Sequence, residues 1–105
     1  MIRKIKFFFQ RLTRGWDDSD TWSLDYTIAQ FVLPRLKRFK ELNIGAPSDL
    51  TEETWDEILD KMIKAMENTI KQWDEDLTEE ETEKMWEETE EGHKLFGEYF
   101  SGLWW

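Results

Sequence analysis

Cysteine is absent from the 105-residue chain, histidine occurs once and proline twice. Without cysteine there are no disulfides, no thiolate-held metal and no cysteine nucleophile. With one histidine, a single copy cannot build a site from two imidazoles. No apolar run approaches the ~20 residues that cross a bilayer. The opening MIRKIKFFFQRLTRG has early positive charge, but its unbroken apolar stretch is only Phe7, Phe8 and Phe9, short for the apolar part of a secretory signal. The length fits one domain, 1–105, and the expected location is the cytoplasm.

Aromatics are plentiful: seven Trp, seven Phe and two Tyr. Each removes about 150–250 Å² from water when buried, so a few of them suffice for a core without staples. Charge is plentiful too, and unevenly placed. Residues 1–40 hold nine Lys/Arg and four Asp/Glu, whereas residues 41–105 hold five and twenty, for a net −10. The halves either attract one another, or the basic half receives an anion while the acidic half maintains solubility.

Helical spacing dominates the chain. Ile2, Ile5, Phe8, Phe9 and Leu12 recur at 3–4 residue steps over 2–14, ringed by Arg3, Lys4, Lys6, Arg11 and Arg14, with Gly15 placed to end the helix. Residues 16–21, WDDSDT, read as a turn rich in helix caps. A second helix is expected over 22–42, with Trp22, Tyr26, Ala29, Leu33, Leu36, Phe39 and Leu42 on one face. Pro34 in its middle removes a backbone hydrogen bond and predicts a kink that bends the helix round the core. Residues 43–49, NIGAPSD, form the clearest loop. Thr51 then caps a third helix whose stripe is the cleanest in the chain: Trp55, Ile58, Leu59, Met62, Ile63, Met66, Ile70 and Trp73. Thr78 and Glu81 make a capping box for a last helix, 79–100. Its inward face reads Thr82, Met85, Trp86, Thr89, His93, Phe96, Tyr99, Phe100 and Leu103, and Gly92 and Gly97 mark either close approach or fraying. The expected fold is all-α, a compact bundle of about four helices. The first helix packs within that bundle in preference to lying on a membrane.

Catalytic constellations are weak. Glu90 and His93 have the Glu-x-x-His spacing of di-iron bundles, which need two such pairs; the plainer reading is surface charge beside a core-flanking histidine. Asp56/Asp60 and Glu87/Glu91 lie four apart on helix faces, as chance provides in so acidic a chain. No nucleophile elbow or phosphate loop is present. The expectation is a protein that is not an enzyme and takes no metal or cofactor. Arg14, Trp16, Trp22, Arg35 and Arg38 form the better candidate: arginines for bidentate phosphate contact, indoles for a flat base. The alternative is that the indoles fill the core while the cations line a solvated face. Double-stranded nucleic acid is not expected, since the overall charge repels it.

The stretch 14–63 joins RGWDDSDTWSLD, PRLKRFK, a Gly-x-Pro loop and WDEILDKMI. In that combination it resembles a group of small bacteriophage-encoded proteins. The resemblance implies an accessory role in an infected bacterial cell: countering a defence, altering host machinery or assisting particle assembly. Joined to the basic-aromatic region, this context leads to a first expectation. The protein sequesters a phosphorylated small molecule, such as a cyclic nucleotide or an ADP-ribose-type signal, held by Arg14, Trp16, Trp22, Arg35 and Arg38. A second expectation is an acidic interaction protein that blocks a host factor or mimics nucleic acid. A third is a structural virion component. A homo-oligomer, with a dimer favoured, is expected through the first helix and Trp104-Trp105, whose exposed aromatics need cover.

Overall fold

The cleanest stripe in the sequence becomes the centre of the fold. In the computed structural model, which describes residues 2–43 and 45–104, the chain forms four helices: α1 (Ile2–Arg14), α2 (Leu24–Leu42), α3 (Glu52–Asp74) and α4 (Glu79–Glu98). Short 3₁₀ turns occupy Asp18–Thr21 and Phe100–Gly102, and there is no strand among the described residues. The protein is all-α.

α3 starts where Thr51 accepts a hydrogen bond from the Thr54 amide, and Glu52 and Glu53 lie against the positive end of its dipole. α2 packs on one side of it and α4 on the other. Trp55, Leu59 and Met62 are fully enclosed, and Ile58, Ile63 and Leu36 complete the core. Each such side chain contributes about 1.5–3 kcal/mol on leaving water. Val32, Leu33 and Phe39 close the core from α2, and Leu95, Phe96, Tyr99 and Leu103 close it from α4 and the segment beyond. Leu50, before the cap, also packs there.

α2 runs unbroken through Pro34, so the proline does not divide the helix. Its missing N–H leaves the Gln30 carbonyl without its helical donor. One residue on, the Arg35 guanidinium donates to the Phe31 carbonyl at 2.9 Å. At the far end of the α2–α3 pair, the Tyr26 hydroxyl donates to Asp74 at 2.7 Å and the Trp73 indole N–H donates to Asp25 at 3.1 Å.

Between α3 and α4 the contact is polar and close. Asn68, buried, donates to the Thr89 hydroxyl at 3.1 Å and to Glu88 at 2.9 Å. Gly92 is buried against the Lys61 carbonyl and Ala65. The expected inward face of α4 is corrected in part. Trp86, Phe100 and His93 are exposed, although His93 Nε2 lies 3.2 Å from the Thr69 hydroxyl.

The larger correction concerns α1. It does not join the bundle, and none of its residues is buried. It rests on the 3₁₀ turn Asp18–Thr21 and makes no packing contact with α2, α3 or α4. The radius of gyration, 16.5 Å, accordingly exceeds the ~13 Å of a compact chain this long.

Candidate binding surface

α1 is turned outward, and its polar side makes the attachment. Asp17 explains why. Its backbone is extended, and its carboxylate accepts from the Ser19 amide at 2.8 Å, from the Ser19 hydroxyl and from Arg11. Asp20 answers by accepting from the Asp17 amide at 3.1 Å, closing a capping box around the 3₁₀ turn. Next to it, Asp18 accepts from Gln10 and from Arg14, each at 2.8 Å, with Lys6 at 3.6 Å. The Gln10 side-chain oxygen, Oε1, returns the contact by accepting from the Asp18 backbone amide at 2.8 Å. Edge-on contact between Phe7 and Trp22, with Arg3 over the same indole, completes the junction.

Both carboxylates are held below their ordinary range. For Asp17 the main cause is the Ser19 hydroxyl, opposed by burial and reinforced by Arg11. For Asp18 the donors Gln10 and Arg14 outweigh burial, with Lys6 adding attraction. Gly15, at φ +81°, supplies the left-handed residue that lets the chain reverse between α1 and the turn.

With Lys6, Phe7, Gln10, Arg11 and Arg14 facing the body, the apolar side faces solvent. Ile2, Ile5, Phe8, Phe9 and Leu12 are all more than half exposed, Ile2 at 85%. Trp16 and Trp22 are exposed as well, as are Leu24, Ile28 and Phe31, which recur at helical spacing along α2. These ten side chains all fall within residues 2–31.

The five residues expected to hold an anion are placed apart. Arg14 and Trp16 come together, the guanidinium lying 3.7 Å over the ring, but Arg14 is already bonded to Asp18 and to the Trp16 carbonyl. Trp22 lies against Phe7 and Arg3. Arg35 lies flat on Phe31 at 3.7 Å and borders a shallow groove of about 220 Å³ shared with Leu36, Phe39, Phe96 and Leu103. Arg38 is paired with Glu41 at 2.8 Å. The indoles do not fill the core, as the alternative reading held. They stand on the surface, at 47% and 62% exposure for Trp16 and Trp22.

A larger hollow of about 630 Å³ opens between the loop after α2 and the C-terminal segment, lined by Leu42, Pro47, Trp55 and Trp104 among others, with no Lys or Arg in its described lining. Trp104, expected at an interface, is exposed; Trp105, expected with it, lies outside the described residues. No helix is long and apolar enough to cross a membrane among the described residues. No protein family, curated protein or solved structure matches this chain.

Sequence reasoning missed the outward turn of α1. Periodicity shows which side of a helix is apolar, not what that side meets. A signal was available in the spacing of Arg11, Arg14 and Gln10 to Asp17 and Asp18, which the cap reading of WDDSDT absorbed.

Proposed function

We propose that the protein is a non-catalytic interaction protein that works by docking its aromatic N-terminal surface onto another polypeptide. This keeps the interaction class expected from the sequence but moves the docking surface from the acidic, Trp-rich back half of the chain to its N-terminal part. The observation that carries it is the exposure of the whole apolar face of α1, where Ile2, Ile5, Phe8, Phe9 and Leu12 are each more than half exposed. Monomeric proteins rarely leave so large an apolar area to water without a partner. In the phage context that the resemblance implies, the partner is a protein of the infected cell or of the phage itself.

The ligand-sequestering reading draws less support. A site for a phosphorylated molecule needs cations that converge and are available. Here Arg14 and Arg38 are engaged by Asp18 and Glu41, and Arg35 sits on a different element from Arg14. The larger hollow is apolar, with no cation in its described lining. Retention of a cyclic oligonucleotide or ADP-ribose derivative in native mass spectrometry would reverse this preference.

The test is site-specific photo-crosslinking. A benzophenone amino acid is placed at Phe9 or Trp22, with Lys71 on α3 as the comparison position, in extract of the bacterial host with and without infection. Crosslinks from Phe9 and Trp22 to a defined polypeptide, competed by unlabelled protein and absent from Lys71, are expected. Equal labelling from all three positions, or none, rejects the reading.

A further inference from the structure

We infer that the hollow of about 630 Å³ between the loop after α2 and the C-terminal segment is a binding site for a small, flat, uncharged molecule bearing a hydrogen-bond acceptor, which the indole N–H of Trp55 meets. No α1 residue belongs to its described lining, so the site is independent of the docking reading above.

The donor is the first argument. Trp55 is 1% exposed, and its Nε1 is closed to water with no hydrogen-bond partner among the described residues. Tyr99 packs edge-on at 5.8 Å between ring centroids but supplies no acceptor. An enclosed indole N–H ordinarily finds a partner, and leaving one unpaired costs stability. The same side chain forms part of the wall of the hollow. Its Cη2 corner stands by Gly102 and Pro47: a β-carbon on Gly102 would lie 3.8 Å from Cη2 and 3.5 Å from the Pro47 Cγ. Nε1 lies along the same edge of the indole as Cη2, so the unpaired donor stands just behind this wall. Residues 45–48, which also line the hollow, belong to no helix. A small shift of that stretch opens the N–H to an acceptor seated inside.

The lining selects the rest of the ligand. The volume falls within the roughly 300–1,000 Å³ of small-molecule pockets. Leu42, Pro47 and Trp104 give apolar walls, and Trp104, at 76% exposure, presents a face to a flat ring. No Lys, Arg, Asp or Glu is in the described lining. A carboxylate or phosphate would therefore leave water without a counter-charge. An ammonium suits indole faces but has no lone pair for the N–H. A neutral ring with a carbonyl oxygen satisfies both the walls and the donor.

The test is a titration of the isotope-labelled full chain with indan-1-one, followed through the indole N–H resonances by NMR. Trp55→Phe, which keeps an aromatic ring but has no N–H, identifies the Trp55 signal by its loss. Indane, the same ring system without an acceptor, and indane-2-carboxylate, its anion, are the comparison probes. A saturable shift of the Trp55 signal by indan-1-one is expected, with indane about five- to tenfold weaker and the carboxylate weaker still. Gly102→Leu, which fills the space beside Pro47 and Trp55, is expected to abolish the shift. Trp104 is exposed, so Trp104→Ala keeps the fold whatever Gly102→Leu does, and it is expected to weaken binding about fivefold. A Trp55 signal unmoved at millimolar indan-1-one overturns the inference. So does equal affinity for indane, tighter binding of the carboxylate, or a shift that survives both Gly102→Leu and Trp104→Ala.

Discussion

Gly92 on α4 lies so close to Ala65 on α3 that a β-carbon at position 92 would stand 2.4 Å from the Ala65 β-carbon and 2.3 Å from the Lys61 carbonyl oxygen. A backbone carbonyl cannot yield as a flexible side chain does. Gly92→Ala is therefore expected to push the helices apart and lower unfolding stability by about 1–3 kcal/mol, despite alanine's better helix propensity. Gly97, five residues on, has nothing within 4 Å of such a carbon. Gly97→Ala is expected to raise stability by about 0.5–1 kcal/mol. Urea unfolding of the two variants checks both, and opposite signs are the expected result.

The clasp at Asp17 and Asp18 should depend on pH. Both carboxyls are held below their unfolded value of 3.8 by the donors around them. A lowered folded pKa gives stability that is complete above the unfolded value and disappears as pH falls through the folded one. Docking of α1 is thus expected to be intact at neutral pH and to loosen only below pH 3.8. Hydrogen exchange at the Ser19 and Asp18 amides reports this directly. Asp17→Asn should show the loosened exchange already at pH 7, and unchanged protection there would contradict the assignment.

Asn68 is expected to tolerate no acid. Asn68→Asp removes the donor that meets Thr89 and Glu88 and sets a buried carboxylate beside Glu88. A loss of about 2 kcal/mol or more at pH 7 follows, shrinking as the pH approaches the carboxylate range and the new group takes up a proton. Thermal unfolding at pH 7 and pH 4.5 measures the difference; a loss independent of pH would point to packing alone.

Removing residues 1–14 should leave the bundle standing. No α1 residue is buried, so the truncated chain is expected to unfold within about 1 kcal/mol of the full one. Trp55→Ala, at the fully enclosed centre of the core, is expected to lose about 3–5 kcal/mol. Comparable losses from the two changes would mean that α1 supports the core after all.

Local chemistry made much of this fold legible. Thr51 and Thr78 cap α3 and α4 at the positions their sequence contexts indicate, and Gly15 ends α1 in the left-handed conformation. At α4 the box closes only in part: Thr78 accepts from the Glu81 amide, but the Glu81 carboxylate takes the Thr78 hydroxyl instead of the backbone N–H. Trp55 through Met66 form the buried stripe that their spacing announces. What spacing could not resolve is the meaning of an apolar face. The faces of α1 and α3 look alike as patterns, yet one becomes the core and the other meets solvent. The decision lies with Asp17 and Asp18, whose carboxylates draw the cationic side of α1 inward and so turn its hydrocarbon outward. The two α4 glycines looked equivalent for a similar reason, since only the neighbouring helix makes Gly92 indispensable.

The isolation of α1 has an evolutionary consequence. In most small proteins a binding surface shares residues with the core, so altering the surface endangers the fold. Here substitutions at Ile2, Ile5, Phe8, Phe9 or Leu12 disturb nothing that holds α2, α3 and α4 together. Recognition can then drift, or be redirected to a new target, while the scaffold stays fixed, and variation among descendants of this chain should concentrate on that face before it touches the helices behind it.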